Sequence, residues 1–195
     1  MPRTLEQNKS IREEKIELIK ETALNLFADE GYHNTSVQKI AKQAGISKGL
    51  LYNYFESKEQ LLESIVNDFI TDMYVHFDPN HDGVLSEDEF YYFIEKSFDI
   101  IAENPVHWKL YNSLVMQKTV LEIIQDISIK LSKSVFGVMF NFFKSERCTD
   151  PEGEMLFFSS LLKGAIIQYI AAPDSFPMEM MKNKIIDFYK NKFKI

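Results

Sequence analysis

The stretch from Thr35 to Lys58, TSVQKIAKQAGISKGLLYNYFESK, decides the fold of this chain of 195 residues. Its apolar residues first recur at helical spacing, and Thr35 or Ser36 stands where the cap of that helix is expected. Gly45 then interrupts the pattern, and because glycine adopts left-handed dihedral angles at low cost, we expect a tight reversal there. A second helix follows with Ser47 as its cap and with an apolar inward face: Leu50, Leu51 and Tyr54 or Phe55. The stretch therefore predicts two short helices joined by a turn.

The outward face of the second helix has the chemistry of a helix that enters a major groove. It carries small, basic, aromatic and amide side chains: Ser47, Lys48, Gly49, Tyr52 and Asn53. Such side chains allow close approach, contact phosphates and hydrogen-bond to base edges. The stretch has four lysines against one glutamate, although the whole chain has a net charge of −7. A basic segment in an acidic protein indicates an anionic partner.

The run from about Ile16 to Leu62 resembles the DNA-binding domain of the TetR (tetracycline-repressor) family of bacterial transcriptional regulators. The matching residues are Ala23, Leu26, Phe27, Gly31, Tyr32, Thr35–Val37, Ile40, Ala41, Ala44–Gly49, Leu51, Tyr52, Tyr54, Phe55, Ser57–Glu59, Leu61 and Leu62. The resemblance implies an all-α fold, with a three-helix helix-turn-helix DNA-binding domain over residues 1–57. Residues 58–195 would form a larger helical domain that binds an effector and dimerises. The alternative is a helical hairpin in an unrelated all-α protein.

The resemblance also assigns contacts with double-stranded DNA. Lys48, Gly49 and Tyr52 are expected in the groove. Ser47, Tyr54, Thr35 and Lys58 are expected on the phosphate backbone, with Lys58 at the start of the long helix that links the two domains. Tyr54 has a half-buried position as its alternative.

Composition excludes several other classes of protein. Glycine and proline are few, at seven and six residues, which favours helices throughout. Cys148 is the only cysteine, so no intramolecular disulfide can form and a cytoplasmic location is expected. No stretch approaches the roughly 20 apolar residues that span a membrane. Residues 59–195 hold thirteen basic and twenty-one acidic residues, which argues against a second nucleic-acid surface. No catalytic arrangement is visible, so we expect no enzyme.

Residues 78–89, DPNHDGVLSEDE, fit the pattern of an EF-hand calcium loop. The candidate ligands are Asp78, Asn80, Asp82, the carbonyl of Val84, Ser86 and Glu89. Two observations favour a loop without metal: Asp, Asn and Gly are common in any turn, and Ser86 with Glu89 forms a capping box. The sequence shows no second loop of this kind. The resemblance implies no required cofactor, and calcium is the one candidate ion. The rival function is a calcium-responsive regulator or a calcium-binding helical protein.

The second domain is rich in aromatic residues and methionine. By resemblance an effector pocket would be lined by some of Phe69, Met73, Phe93, Trp108, Tyr111, Phe136, Met139 and Phe140. An aromatic set at helical spacing also fits an ordinary core. An apolar or aromatic effector is consistent with this composition. The resemblance further implies that the last two helices form a homodimer as a four-helix bundle, with packing inside one protomer as the alternative.

Overall fold

The computed structural model describes residues 5–146 and 148–194, without the side chains of residues 5, 8, 73, 74 and 126–134. The regular elements of these residues are nine α-helices, so the predicted all-α fold class is confirmed. The helices are α1 (Leu5–Glu30), α2 (Val37–Gln43), α3 (Lys48–Tyr52), α4 (Lys58–Tyr74), α5 (Glu87–Glu103), α6 (Pro105–Val115), α7 (Lys118–Ser145), α8 (Pro151–Ala171) and α9 (Met178–Phe193).

The chain folds into two compact units. The first comprises Met1–Phe69 and Leu110–Gln125, and the second comprises Ile70–Lys109 and Asp126–Ile195. The first unit thus extends beyond the predicted domain boundary at residue 57, because the apolar residues of early α4 are buried in it: Leu61, Leu62, Ile65 and Val66. The assignment of DNA binding and effector binding to separate domains stays a prediction.

Caps and glycines determine the local structure of the first unit. Ser36 caps α2 by accepting a hydrogen bond from the amide of Lys39, which decides between the two predicted cap residues. Gly31, directly after α1, and Gly45, after α2, both have positive φ angles, of 88° and 68°. Residues with a Cβ rarely adopt such angles, so both turns depend on glycine. The side chain of Ser57, directly before α4, accepts a hydrogen bond from the amide of Gln60 and thereby caps that helix.

The core of the second unit is formed by α5, α8 and α9, which pack against one another, together with late α7. Phe90 on α5 lies at its centre and is 0% exposed. The ring centroids of Phe142, Phe158 and Tyr189 lie 4.7, 4.8 and 5.1 Å from that of Phe90. Three separate helices therefore converge on one aromatic side chain.

Helix α8 is the one helix of the described residues that is long and apolar enough, by length and composition, to cross a membrane. Core helices of soluble proteins pass the same test, and α8 packs one apolar face against α5 and α9. Its buried residues are Met155, Phe158, Leu162, Ala165, Ile166 and Ile170. This helix is therefore not a clear membrane span.

Candidate functional site

The turn between α1 and α2 is built around Thr35. Its side chain is 0% exposed, and its hydroxyl donates to the main-chain oxygens of Leu26, at 3.1 Å, and Gly31, at 3.0 Å. The hydroxyl is therefore occupied inside the protein and does not face solvent, whereas a contact of Thr35 with the DNA backbone stays a prediction. Thr35 holds the turn against the end of α1, because a buried hydroxyl without partners would be costly.

Helix α3 brings the predicted groove residues together on one exposed face. Ser47 precedes it with extended dihedral angles, and its hydroxyl accepts from the amide of Leu50. Lys48 and Gly49 follow at the exposed first turn, and Tyr52 is 44% exposed. The ammonium of Lys48 lies 5.8 Å from the centroid of the Tyr52 ring. A Cβ added at Gly49 would meet no atom within 4 Å, so the helix offers a flat approach there. That these residues touch DNA stays a prediction.

Leu50 corrects the predicted inward face of α3. It is 37% exposed, whereas Leu51 is 0% exposed and Phe55 is 5% exposed. A helix of five residues buries only one narrow stripe, and Leu51 occupies it. Leu50 and the exposed Asn53 are thus further groove candidates, and the exposed face is apolar in part.

Tyr54 is half-buried, which agrees with the alternative position predicted for it from the sequence. The guanidinium of Arg12 on α1 lies 5.0 Å from the centroid of its ring. The aromatic face is therefore partly used within the protein, through a cation–π contact. A backbone contact by the Tyr54 hydroxyl stays a prediction.

Lys58, at the start of α4, has an internal role that the sequence did not indicate. Its ammonium donates to the carbonyls of Tyr32, at 2.8 Å, and Thr35, at 3.0 Å. It also lies 4.2 Å from the centroid of the Tyr32 ring. Burial lowers the pKa of Lys58, and the neighbouring carboxylate of Glu59 opposes that shift. Lys58 thus ties α4 to the turn, and its predicted phosphate contact stays untested.

Tyr32 is held by contacts on several sides. It is 3% exposed, and its hydroxyl donates to a carboxylate oxygen of Glu59 at 3.1 Å. Burial, together with that carboxylate, raises the pKa of Tyr32. Glu59's own main-chain amide, and secondarily the Tyr32 hydroxyl, hold the pKa of Glu59 below its ordinary value, against the opposing effect of burial. Tyr32 is therefore an anchor between α4 and the turn that precedes α2.

The basic excess of the stretch from residue 35 to residue 58 is smaller in the folded protein than in the sequence. Lys39 forms an ion pair with Glu30, a residue outside the stretch. Lys58 is directed at main-chain carbonyls. Lys42 and Lys48 are the two lysines of the stretch that remain well exposed without an ion pair among the described residues. The positive potential is therefore concentrated near α3 and the end of α2.

A cavity of about 200 Å³ lies in the second unit among α5, α7 and α8. Three of the eight predicted pocket residues line it, namely Phe93, Phe136 and Met139. The remaining lining residues were not predicted: Val135, Met155, Leu156, Phe158, Ser159, Leu162 and Lys163. Apolar spacing along a helix indicates that one of its faces is buried, but it does not indicate which other helices that face meets.

The other predicted pocket residues lie elsewhere or are not described. The rings of Phe69 and Tyr111 stack at 3.9 Å within the first unit, and Trp108 is buried at 6% exposure. Phe140 is half-buried and does not appear among the residues around the cavity. The side chain of Met73 lies outside the described residues. The predicted set of eight is therefore divided between two units.

The loop after α4 uses its candidate calcium ligands as turn residues. The carboxylate of Asp78 accepts from the amides of Asp82, at 3.2 Å, and Gly83, at 3.0 Å. The oxygen of Asn80 accepts from the amide of Asp82, and the carboxylate of Asp82 accepts from the amide of Val84. Ser86 and Glu89 form the capping box of α5. In the part of the chain that the structure describes, no three His, Cys, Asp or Glu residues gather as a metal site. Calcium binding stays untested.

The last two helices expose apolar side chains on one surface. Phe157 on α8 is 46% exposed and Phe188 on α9 is 45% exposed, and their ring centroids lie 5.7 Å apart. Met180 on α9 is 54% exposed. Large apolar side chains that are exposed side by side are typical of an interface.

Comparisons with known proteins give one consistent result. Residues 19–65 match the model of the bacterial regulatory proteins of the tetR family. The uncharacterized HTH-type transcriptional regulator YuxN of Bacillus subtilis is 63% identical over 54 residues, which are 28% of this chain and 19% of that protein. The HTH-type transcriptional repressor KstR2 of Mycolicibacterium smegmatis is 44% identical over 69 residues, 35% of this chain and 32% of that protein. The matched parts thus span less than a third of these relatives. The crystal structure of FadR from Bacillus subtilis in complex with stearoyl-CoA shares the fold, with a TM-score of 0.64 at 20% identity over 87% of this chain and 95% of that one.

Proposed function

We propose that this chain, whose residues 19–65 match the tetR family of bacterial regulatory proteins, is a dimeric transcriptional regulator of that family that binds a DNA operator and responds to a small-molecule effector. Repression is the expected mode, since one of the matched relatives carries that description. The proposal includes a cytoplasmic location and no enzymatic activity.

The exposed face of α3 is the observation that carries this proposal. Lys48, Gly49 and Tyr52 lie together after a capped turn, on a helix whose opposite side is anchored by the fully buried Leu51. A helix of this kind can enter a major groove with its first residues near base edges. The acidic excess of residues 59–195 argues against a second nucleic-acid surface there and leaves α3 as the candidate for contact with DNA.

The test is recovery of specific sites from sheared genomic DNA of the source organism by the purified protein at fixed salt, with calcium and with chelator. We expect one palindromic site, because two copies of a helix-turn-helix unit read two half-sites. Lys48→Ala and Tyr52→Ala should each weaken binding to that site by roughly 5- to 100-fold, the range of about 1–3 kcal/mol for a specific contact. Lys109→Ala removes an exposed lysine in the second unit and should leave the affinity unchanged. Wild-type affinity in both α3 variants would refute the assigned contacts.

Dimerisation through α8 and α9 is supported by the exposed Phe157 and Phe188 rings. A charged residue at the centre of an apolar interface would be desolvated without a partner. Phe157→Lys is therefore expected to shift the sedimentation coefficient to that of a monomer. Val106→Lys, at a position that is 67% exposed on α6, is the matched control and should remain dimeric. A monomeric wild-type protein at micromolar concentration would contradict the proposal.

An apolar or aromatic effector is supported by the cavity at Phe93, Phe136 and Met139. At about 200 Å³ it is smaller than most ligand sites, so ligand binding would require it to widen. Stearoyl-CoA is the first probe, because the related FadR fold was crystallised with it. If adding stearoyl-CoA abolishes operator binding by the wild type, and if this effect is weaker in the Met139→Ala variant, the result would support an acyl effector. An unchanged operator complex would direct the search to aromatic ligands.

A further inference from the structure

Gln117 lies in the two-residue connection between α6 and α7, and its side chain reaches the end of α1. Its Oε1 accepts from the amide of Tyr32 at 2.8 Å, and its Nε2 donates to the carbonyl of Phe27 at 2.8 Å. The two main-chain partners flank the Gly31 turn that leads into α2. One side chain thus clamps both sides of the turn that positions the helix-turn-helix.

This pair of bonds requires a carboxamide. A glutamine side chain combines an acceptor and two donors, whereas a glutamate offers only acceptors and a methionine offers no donor and only a weakly accepting sulfur. Glutamine therefore matches both an amide N–H and a carbonyl. Its partner Tyr32 is 3% exposed, so water cannot easily replace the clamp there.

A second bond from the same segment reaches the same turn. The Nε2 atom of His33 lies 2.6 Å from the hydroxyl of Thr119 in the first turn of α7. From the other side, Lys58 and Glu59 of α4 hold the carbonyl and the hydroxyl of Tyr32. The turn before α2 is therefore held from α4 and from the start of α7 together.

We propose that Gln117 is a positioning residue for DNA binding, through which the start of α7 keeps the turn at residues 31–36 in the conformation that presents α2 and α3. This inference rests on the proposed DNA-binding function.

The first measurement is hydrogen–deuterium exchange of the full-length protein, which requires neither DNA nor effector. Gln117→Met keeps the length of the side chain and removes both bonds. We expect roughly tenfold faster exchange in peptides that cover residues 31–37. In this variant, local opening of the turn no longer has to break the two hydrogen bonds of the Gln117 side chain. Gln125→Met, at an exposed position two turns further along α7, is the control and should exchange as the wild type does. Unchanged exchange at residues 31–37 in Gln117→Met would overturn the proposal.

The second measurement separates positioning from simple support of the fold. Gln117→Met and Gln117→Glu are compared with the wild type for melting temperature and for affinity to the recovered operator. We expect both to lose affinity by roughly tenfold while the cooperative melting transition is retained. Faster exchange with unchanged operator affinity would make Gln117 purely structural and overturn the proposal. If the wild type recovers no specific DNA, the proposed function fails and the DNA-binding role of Gln117 fails with it, whereas the exchange data still decide whether the clamp exists.

Discussion

The two units of this protein differ in the kind of interaction that specifies them. In the first unit, caps and glycine turns act over a few residues: Ser36 and Ser47 cap the short helices, and Gly45 makes the turn between them. In the second unit, Phe90 contacts rings from residues 142, 158 and 189, far away along the chain. Local interactions can be recognised in a sequence, whereas long-range packing depends on the whole fold. The difference explains why most of the exposed face of α3 was predictable from the sequence and the lining of the cavity was not.

The largest effect should come from the centre of the second unit. Phe90→Ala removes a fully buried ring from the aromatic cluster, and we expect a loss of about 3–5 kcal/mol in the free energy of unfolding. Urea denaturation at a fixed protomer concentration measures it, because the proposed dimerisation would contribute to the apparent stability. Glu95→Ala, at an exposed position on the same helix, should change stability by less than about 0.5 kcal/mol. A loss below about 1 kcal/mol for Phe90→Ala would show that the cluster is not the core of this unit.

Thr35 tests whether the first unit depends on a buried polar group. Thr35→Val preserves the shape of the side chain but removes the donor to the carbonyls of Leu26 and Gly31. We expect a cost of about 1–3 kcal/mol, together with faster hydrogen exchange in residues 31–37. Thr71→Val, at an exposed position on α4, provides the control. A cost equal to that of Phe90→Ala would break the distinction between a locally and a globally specified unit.

Asp78 decides what the loop after α4 requires. In the presence of chelator, Asp78→Ala should destabilise the protein by about 1–2 kcal/mol, because the amides of Asp82 and Gly83 lose their acceptor. The measurement is a thermal melt in chelator and a second melt in millimolar calcium. If the loop is a turn, the wild type melts at the same temperature in both. A calcium-dependent rise that disappears in Glu89→Gln would establish an ion site instead.

The smallest effect should be alike in the two units. Ser36→Ala and Ser86→Ala each remove an N-cap, on α2 and α5 respectively, and each should cost about 1 kcal/mol. Ser160→Ala, at an exposed position within α8, is the control and should be close to neutral. Chemical denaturation of the three variants gives the comparison. Equal costs would show that capping is local wherever it occurs, and a much larger cost at Ser86 would indicate a further role for the loop.

Sequence patterns were sufficient for the two short helices, for the Ser47 cap and for five exposed residues at α3, namely Ser47, Lys48, Gly49, Tyr52 and Asn53. They did not indicate that the side chain of Thr35 is buried or that Leu50 is exposed, since the burial of a side chain depends on which neighbouring element covers it. Lys58 was assigned from its position at a helix start, and only the folded turn places two carbonyls within reach of its ammonium. Gln117 has no local pattern at all, because its partners lie 85 and 90 residues away along the chain.

What the sequence by itself determined is the set of local elements: an all-helical chain, a capped helix-turn-helix, and a face of small, basic and aromatic residues on α3. These follow from dihedral preferences and from the spacing of apolar residues, which act over a few positions. Only the tertiary structure decided which aromatic residues line the cavity, which lysines remain exposed, and that Gln117 clamps the turn before α2. Those features depend on contacts between segments that are distant along the chain. The packing of the whole fold determines these contacts, and no single local stretch does.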